Sequence, residues 1–570
     1  MDASEKRIES NIEYLRKLFI MPDSADKFVE FGNELLEMIH DFFQEKGGIH
    51  SSITLPELSE IFNQKSVPVG PHLIKDVLSE IKSKVVGHSV KVGNPYYIGH
   101  MTSAIPYFMI LLEMIIAALN QNQVKIETAK ASSFVERELV AWLHRLIFSR
   151  TEKFYEKNMQ NPRVALGNVT SDGTLANLTA LLVAREKAFP QDGTFPGVRM
   201  AGMATALNYY GCSRGVVLVS ARAHYSIKKS IGMLGIGEEN VIAIPVNGDN
   251  RINIHKLEKR ALELDREGVR VIAVAGIAGT TETGNIDDLA SISEVCRQVG
   301  ASFHVDACWG GSAMLVDEYR PLFKGIEMAD SATIDAHKLL YCPMSMGVVL
   351  FRNEKDLKLI KQSSKYIIRK NSVDTGRFTV EGSRAFSALK PWAALKIIGR
   401  DGYGLLLRGA KESTNILKRI LDKCGNFETL NEPDLFILTY RFIPEKARRD
   451  LLFLEKSRKK VKSTKEKKQI RDKLRKLNHL VNGLNIKLHK ELRRDDSTFV
   501  SRTTLESTRY RPQEIVVLRA VLINPLIDEK ILREIVGTHN RLGLEIWNRF
   551  EPVYERIISE EPLFEEKPAT

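Results

Sequence analysis

The stretch Ser302-Phe303-His304-Val305-Asp306-Ala307-Cys308-Trp309-Gly310-Gly311 decides how the middle of the chain folds. Its apolar start predicts a short buried strand that ends at a carboxylate and is followed by glycines that favour a turn. Similar apolar runs occur on both sides of it, at 216–219, 241–244, 271–275 and 347–351. Helical patterns lie between several of these runs, at 175–187 and 289–299. The alternation predicts an α/β fold with a mostly parallel sheet, whose ligand lies at the carboxyl ends of the strands.

The flanking regions have different patterns, which predict three parts of the 570-residue chain. Residues 1–92 have apolar residues at helical spacing and predict a helical N-terminal segment that ends near Gly93-Asn94-Pro95. Residues 93–380 hold the α/β pattern. Residues 381–570 contain strand patterns and a closing helical pattern, at 427–431, 436–442, 515–523 and 531–550. They predict a smaller α+β domain.

The net charge of +12 comes from one segment. Residues 446–494 hold 19 Lys/Arg and 5 Asp/Glu, a balance of +14, so the rest of the chain carries 12 − 14 = −2. A narrow apolar seam repeats through this segment, at Ile470, Leu474, Leu477, Val481, Leu484 and Leu488. It favours a helix or helical hairpin packed on its own domain or on a subunit partner, with nucleic-acid or anionic-surface binding as the alternative. We predict no specific nucleic-acid site.

Several protein classes are disfavoured by the sequence. The five cysteines are scattered without a CxxC pair, so neither a disulfide framework nor a cysteine-rich metal site is expected. The most apolar stretch, 105–119, is interrupted by Glu113 and is shorter than the ~20 residues of a membrane span, so it predicts a buried helix. The N-terminus shows no targeting pattern, which predicts a cytoplasmic protein.

Two motifs point to carbonyl chemistry. Asp335-Ala336-His337-Lys338 follows an apolar run, where burial is expected to lower the pKa of Lys338 and free its amine to attack a carbonyl carbon. Asp306 ends a predicted strand about thirty residues earlier. Its carboxylate is either structural, held by backbone N–H groups, or the partner of a protonated pyridine nitrogen in a cofactor.

Two further motifs suggest how such a cofactor would be held. In Thr170-Ser171-Asp172-Gly173-Thr174-Leu175-Ala176-Asn177, small residues precede a helical run, as in a phosphate cradle or an ordinary N-cap. No GxxxxGK[ST] sequence is present, so this is not a Walker loop. His224, just after the strand at 216–219, is either a flat partner for a cofactor ring or a structural histidine.

Together the four motifs resemble the group II pyridoxal-phosphate-dependent amino-acid decarboxylases, from about Gly93 to the C-terminus. The resemblance implies fold type I, the aspartate aminotransferase-like fold. Within the family the chain is similar to the bacterial branch of aspartate 1-decarboxylases, which are relatives of glutamate decarboxylase. The implied cofactor is pyridoxal 5′-phosphate, and the implied assembly is a homodimer with the active site at the interface.

The resemblance also assigns roles to individual residues. Lys338 would form the Schiff base with His337 beside it near the phosphate, and Asp306 would pair with the pyridine nitrogen. The remaining cofactor contacts would be His224 on the ring, Gly173 and Thr174 on the phosphate, Cys308 in place of the usual alanine beneath the ring, and Asp335 where relatives often have asparagine.

Substrate contacts are implied in the same way. Arg519 lies in a strand pattern followed by Asn524-Pro525 and would bind the substrate α-carboxylate, although a charge in a strand is often solvent-facing. Tyr366, in a loop at 363–369, is the candidate acid that protonates Cα. Lys125 and Arg502 are candidate partners of a side-chain carboxylate, with exposed surface charges as the alternative.

These features predict α-decarboxylation of a small acidic L-amino acid, with aspartate ahead of glutamate. The products would be carbon dioxide and β-alanine, or 4-aminobutanoate from glutamate. The alternatives are an aromatic amino-acid decarboxylase, another lyase or amino-transfer reaction on the same cofactor, and a non-catalytic binding protein that uses the basic helix.

Overall fold

Two β-sheets organise the computed structural model, which describes residues 11–22, 26–45, 47–364, 368–369, 372–510 and 513–559. The larger sheet has seven strands and the smaller has four. The strands are β1 (Gly167–Thr170), β2 (Gly215–Ser220), β3 (Val241–Ile244), β4 (Arg270–Ile277), β5 (Ser302–Asp306), β6 (Ser331–Asp335), β7 (Gly347–Phe351), β8 (Phe427–Thr429), β9 (Ile437–Phe442), β10 (Ser501–Leu505) and β11 (Ile515–Val521).

The larger sheet confirms the predicted α/β class. Its order is β1-β7-β6-β5-β4-β2-β3, and β7 is the one strand of this sheet that runs antiparallel to its neighbours. Strands β2, β4, β5, β6 and β7 are almost wholly buried, which explains their continuous apolar runs. Since β5 and β6 are parallel neighbours, Asp306 and Asp335 lie at the same edge of the sheet, with Asp306 opposite Thr333 and Asp335 two residues further along β6.

Helices cover both faces of the larger sheet and pack against the smaller one. They are α1 (Phe28–Gln44), α2 (Leu55–Ile61), α3 (Ile74–Glu80), α4 (Tyr107–Leu119), α5 (Ile126–Ala129), α6 (Ala131–Phe148), α7 (Glu152–Asn158), α8 (Gly173–Ala188), α9 (Val198–Tyr209), α10 (Tyr225–Met233), α11 (Ile254–Arg266), α12 (Leu289–Val299), α13 (Leu389–Ile397), α14 (Gly399–Cys424), α15 (Glu445–Lys460), α16 (Thr464–Asp495) and α17 (Glu529–Ser559). Helix α8 lies across β4 to β7 and therefore begins at the edge where Asp306 and Asp335 end.

The smaller sheet is antiparallel in the order β10-β11-β9-β8. Helices α15 and α16 form a basic hairpin against it, and all six predicted seam residues of α16 are buried in the core of this region. Asn482 lies mid-helix, and its side chain bonds the backbone of Glu514 and Val516 at the start of β11. The basic segment is therefore a helical hairpin packed on the smaller sheet of its own chain, in agreement with one of the two sequence interpretations.

The apolar segment 105–119 differs from its prediction. It forms helix α4, but only Met109 and Ile116 of that helix are buried. Large apolar side chains on α4 and on the N-terminal helices are exposed, among them Tyr107, Leu111, Ile115, Phe28 and Val29. The prediction of a buried helix is wrong for the chain taken alone, because other parts of the same chain cover only one side of α4.

A search of the described residues finds no helix with the length and apolar character of a membrane span. It also finds no group of three or more His, Cys, Asp or Glu side chains arranged to hold a metal ion.

Candidate active site

A cavity of about 540 Å³ opens at the carboxyl edge of the larger sheet, between β5, β6, the start of α8 and the smaller sheet. Nine of the twelve predicted site residues line it: Gly173, Thr174, His224, Asp306, Cys308, Asp335, His337, Lys338 and Arg519. These residues come from five separate segments of the chain, so it is the fold, and no single motif, that brings them together.

The start of α8 forms a cradle for an anion. Asp172 caps the helix by accepting from the Leu175 N–H at 2.8 Å. Within the described ranges, neither Gly173 nor Thr174 donates its backbone N–H to a protein acceptor. A Cβ atom on Gly173 would lie 2.6 Å from Cys308 Sγ and 2.7 Å from Asp335 Oδ2, so only glycine fits. Free N–H groups at a helix start favour a phosphate.

Lys338 is held by Asp335, with 3.0 Å between Nζ and Oδ2. Burial favours the neutral amine, but the carboxylates of Asp335 and Asp306 outweigh it and raise the pKa of Lys338 above its usual value. The prediction of a lowered pKa is therefore wrong for the chain without cofactor, because the turn from β6 brings the Asp335 carboxylate onto the amine. Asp335 Oδ1 is buried and makes no hydrogen bond.

Asp306 is surrounded by hydrogen-bond donors. Oδ2 accepts from Asn177 Nδ2 at 3.0 Å, and Oδ1 accepts from the Cys308 N–H at 3.2 Å. The Thr333 hydroxyl lies 3.4 Å from Oδ1. Burial tends to raise the pKa of Asp306, but the nearby Lys338 cation and the Cys308 donor outweigh it, so the pKa lies below the usual value. The carboxylate is ionised at neutral pH.

Two buried residues that the sequence analysis did not single out lie behind Asp306. His304 Nε2 is 2.9 Å from Asn177 Oδ1, and His304 Nδ1 is 2.9 Å from Ser331 Oγ. A signal for both exists in the sequence. His304 and Asp306 are two residues apart on a strand and so face the same side, and Asn177 lies one helical turn after Gly173.

His224 caps α10 and lines the cavity. Its Nδ1 accepts from the Ser226 N–H at 3.3 Å, which places a hydrogen on Nε2 when the ring is neutral. Burial lowers the pKa of His224, with Asp306 opposing, and this favours a neutral flat ring. His337, on the other side, has Nδ1 3.0 Å from the Met346 carbonyl oxygen and Nε2 3.8 Å from Asp335 Oδ2.

Cys308 lies beneath the cradle. Its Sγ donates to Thr333 Oγ1 at 3.2 Å, and burial, with Asp306 and Asp335 nearby, raises the pKa of the thiol well above its usual value. A protonated, hydrogen-bonded thiol is a small apolar surface rather than a nucleophile. It can occupy the space that an alanine would leave.

Arg519 enters the cavity from β11 and is only 8% exposed. Its Nε donates to the Thr281 carbonyl at 2.7 Å, and Nη1 donates to the Gly99 carbonyl at 3.0 Å and to Ser501 Oγ at 3.1 Å. Burial lowers the pKa of Arg519 to about 10, although Glu282 opposes the shift, so the group is still a cation at neutral pH. No described residue accepts from Nη2, which remains able to bind a carboxylate.

Two predicted site residues, Lys125 and Arg502, do not line this cavity. Lys125 is ion-paired with Glu127 at the start of α5. Arg502 is exposed, because strand alternation places it on the face of β10 opposite Ser501, towards His489. The structure therefore gives Arg502 no contact with a substrate in its own chain. Tyr366 lies outside the described residues.

Comparison with known proteins identifies the class of enzyme. Residues 56–443 match the family described as "Pyridoxal-dependent decarboxylase conserved domain". The match covers more than half of the chain, so the chain belongs to this family and is a pyridoxal-phosphate-dependent amino-acid decarboxylase.

Individual relatives extend this finding. The chain is 37% identical over 537 residues to an aspartate 1-decarboxylase from Aliivibrio fischeri, which covers 94% of this chain and 95% of the relative. It is 30% identical over 375 residues to an L-2,4-diaminobutyrate decarboxylase from Rhizobium meliloti, covering 65% and 69%. The glutamate decarboxylase domain of a Vibrio parahaemolyticus diaminobutyrate-pyruvate transaminase and L-2,4-diaminobutyrate decarboxylase superimposes with a TM-score of 0.74 at 21% identity, covering 94% and 99%.

The cavity fits pyridoxal phosphate. Gly173 and Thr174 offer free N–H groups to the phosphate, and Lys338 offers an amine to the aldehyde. Asp306 presents an ionised carboxylate where a pyridine nitrogen needs a negative partner. The volume of the cavity also leaves room for an amino acid beside the cofactor.

Proposed function

We propose that this enzyme removes the α-carboxylate of L-aspartate and releases carbon dioxide and β-alanine. The observation that carries the proposal is the likeness to an aspartate 1-decarboxylase over nearly the whole length of both chains. The charges that line the cavity support the proposal, because they favour an acidic substrate over a diamino acid such as 2,4-diaminobutyrate, which the name of another relative gives as its substrate.

The carboxylates that line the cavity all lie on the cofactor side, where each makes a hydrogen bond or an ion pair. Asp172 caps α8, Asp306 accepts from Asn177 and Cys308, and Asp335 is paired with Lys338. The substrate side is lined by Arg519, His100, Met101 and Thr102, which include no carboxylate, and Arg519 is the candidate partner of the α-carboxylate that every amino-acid substrate carries. A side-chain amine such as that of 2,4-diaminobutyrate would find no carboxylate among these lining residues; the nearby Glu282 carboxyl is not among them, and burial raises its pKa.

In the reaction, the cofactor, when bound, would accept the electron pair of the bond that breaks between Cα and the α-carboxylate. Arg519 binds and orients the substrate with a cation whose other hydrogen bonds fix its position. Asp306 holds the negative charge that the ring nitrogen needs. After carbon dioxide leaves, Cα takes a proton, and the assignment of Tyr366 as the donor stays a prediction.

We also propose that the enzyme is a homodimer. The exposed apolar side chains of α4 and of the N-terminal helices are large and numerous for a monomer, and a second copy would cover them. This arrangement is also the one in which Lys125 would reach a substrate, since it does not reach the cavity of its own chain. Sedimentation at concentrations spanning the nanomolar to micromolar range would test the dimer.

The substrate is tested by measuring kcat/KM for carbon dioxide release from aspartate, glutamate, 2,4-diaminobutyrate, tyrosine and dopa. We expect the highest kcat/KM for aspartate and the second highest for glutamate. For 2,4-diaminobutyrate and the two aromatic substrates, kcat/KM should be at least about 100-fold lower than for aspartate. A preference for the diamine or for an aromatic substrate would refute it and would leave the family assignment intact.

Lys125 is tested by subunit mixing. Lys125→Met should weaken the preference for aspartate over tyrosine. Mixing Lys125→Met subunits with inactive Lys338→Ala subunits should restore that preference, because the hybrid has one cavity with Lys338 of one chain and Lys125 of the other. If Lys125→Met alone keeps the preference, the residue has no role in substrate choice.

The cytoplasmic location and the absence of a specific nucleic-acid site also stay predictions. Weak binding of nucleic acid through the exposed lysines of α15 and α16 should disappear at about 150 mM salt.

A further inference from the structure

A chain of four buried side chains runs from β6 to Asp306. Ser331 Oγ lies 2.9 Å from His304 Nδ1, His304 Nε2 lies 2.9 Å from Asn177 Oδ1, and Asn177 Nδ2 lies 3.0 Å from Asp306 Oδ2. His304 and Asn177 are each 1% exposed. Water therefore cannot replace any of these contacts, and each hydrogen in the chain has a fixed direction.

The direction follows from the charge of Asp306. An ionised carboxylate only accepts, so Asn177 presents its amide nitrogen to Asp306 and its carbonyl oxygen to His304. Burial lowers the pKa of His304 to about 4, so the ring is neutral and has one hydrogen. That hydrogen is on Nε2, because a bare Nε2 would face the lone pairs of Asn177 Oδ1 at 2.9 Å; the Thr333 hydroxyl lies 3.3 Å from the same oxygen. The bare Nδ1 then accepts from the Ser331 hydroxyl.

The opposite pattern is the only other one that satisfies the chain. If every hydrogen pointed away from Asp306, the carboxyl would be protonated and would donate to a flipped Asn177 amide. The Lys338 cation opposes this pattern through its charge, and the Cys308 N–H opposes it because it bonds an ionised carboxylate more strongly than a neutral carboxyl. The network therefore has two states, and the contacts around Asp306 select the one in which every donor points toward the carboxylate.

Asn177 also joins this chain to the opposite wall of the cavity. Its second amide hydrogen faces Ser226 Oγ at 3.1 Å, and the Ser226 N–H in turn donates to His224 Nδ1. One amide thus fixes the Asp306 carboxylate relative to the loop that carries His224. These are the two groups expected at the edge and on the face of the cofactor ring.

We propose that Asn177 and His304 are positioning residues that lock Asp306 in its ionised, accepting state and so keep the cofactor's ring nitrogen protonated. The proposal rests on the family's cofactor and not on the identity of the substrate. Neither residue touches the reacting atoms. Their effect reaches the chemistry through the proton on the ring nitrogen, which makes the ring an effective electron sink.

The test is a nitrogen NMR measurement on enzyme reconstituted with pyridoxal phosphate that carries nitrogen-15 at the ring position. Wild type should show a protonated ring nitrogen at neutral pH. Asn177→Ala should shift the signal towards the unprotonated form, weaken cofactor binding to the apoenzyme, and lower kcat by roughly 10- to 100-fold, as is typical when an outer hydrogen-bond partner of a site is lost. A wild-type signal and cofactor affinity in Asn177→Ala would overturn the proposal.

His304 is tested by a pair of variants. His304→Phe removes both ring nitrogens and should shift the signal as Asn177→Ala does. His304→Gln keeps an amide donor toward Asn177 and should restore the protonated form. If the two variants give the same signal, His304 contributes only packing and its part of the proposal fails. If Asn177→Ala does not fold, the comparison of His304→Phe with His304→Gln still tests whether the network keeps the ring nitrogen protonated.

The matched control is Asn485→Ala. Asn485 is a fully buried asparagine that makes three hydrogen bonds, to Phe442 and Val481. It does not line the cavity. Its loss should reduce stability and leave the ring-nitrogen signal unchanged. A change of that signal in Asn485→Ala would mean that general destabilisation accounts for the Asn177 result, which would also overturn the proposal.

Discussion

Asp306 and Asp335 end neighbouring strands of one sheet, are similarly buried, and have opposite surroundings. Asp306 accepts hydrogen bonds on both oxygens from neutral donors that the fold holds in place. Asp335 has one oxygen on the Lys338 ammonium and one buried oxygen without a hydrogen bond. The charge of the first carboxylate is supported by fixed neutral donors as well as by the Lys338 cation, whereas the charge of the second is balanced by Lys338.

This difference indicates a division of roles. Asp306 provides a negative charge, held by fixed hydrogen-bond donors, at the ring-nitrogen end of the cavity. Asp335 lies at the phosphate end, 2.7 Å from the place where a Gly173 Cβ would be, so its charge opposes an incoming phosphate unless a proton or Lys338 neutralises it. It also holds Lys338 in the ammonium form and so limits how much neutral amine is free to bond to the aldehyde.

The largest expected effect is that of Asp306→Asn. An amide cannot balance a protonated ring nitrogen, so kcat should fall by at least about 1,000-fold, which is on the order of 4 kcal/mol, while circular dichroism shows an intact fold. Asp287→Asn is the control, because Asp287 is equally buried and does not line the cavity. Near-normal turnover in Asp306→Asn would remove this residue from the mechanism.

Arg519→Gln should have the next largest effect. It removes a buried cation from the substrate end and touches neither aspartate, so kcat/KM should fall by about 30-fold or more, from roughly 2–5 kcal/mol of lost charge pairing. Cofactor absorbance should be unchanged. Arg502→Gln, on the opposite face of the adjacent strand, should behave as wild type. Equal losses in both variants would contradict the assignment.

Asp335→Asn should change the uptake of cofactor more than turnover. Without this carboxylate the pKa of Lys338 falls, so more neutral amine is present near neutral pH. The rate of cofactor binding to the apoenzyme should rise by up to about 10-fold per unit of pKa change, most at low pH. The rate is followed by absorbance from about pH 6 to about pH 9. Superimposable pH profiles for variant and wild type would show that Asp335 does not control the amine.

The smallest effect is on stability. Because the pKa of His304 is about 4 in the folded chain against an ordinary 6.5, the unfolded chain binds a proton between these values that the folded chain does not. The free energy of unfolding should therefore fall as the pH falls from 6.5 towards 4, by at most about 1.4 kcal/mol per pH unit for this residue. Urea unfolding of the apoenzyme should show a shallower fall in His304→Gln than in wild type or in His72→Gln, an exposed control. An unchanged slope in His304→Gln would contradict a neutral, buried His304.

Much of the site could be predicted from the sequence because parallel strands end at one edge of a sheet. The motifs that contain Asp306, Lys338, Gly173 and His224 each stand beside a predicted strand or helix start, so their meeting follows from the topology. These inferences need only local patterns and one general rule of packing. The role of Arg519 was implied by the family resemblance, and the apolar residues around its charge indicate only that it is buried.

The remainder depends on contacts between elements that no local pattern specifies. Asn177 and His304 act through each other and through Ser331, so neither is informative alone. The pKa of Lys338 was predicted in the wrong direction because the turn geometry that brings Asp335 within 3.0 Å is not visible in the sequence. Strand β10 was not predicted, so the alternation that turns Arg502 away from the cavity could not be used.

The most direct test of the account is the position of the cofactor. Borohydride reduction of the holoenzyme, followed by proteolysis and mass spectrometry, should place the reduced pyridoxal adduct on Lys338, beside Asp335 and within reach of Asp306. Lys338→Ala, prepared in parallel, should retain no covalent adduct. An adduct on another lysine of the wild-type enzyme would contradict the assigned orientation of the cofactor and the division of roles between the two aspartates.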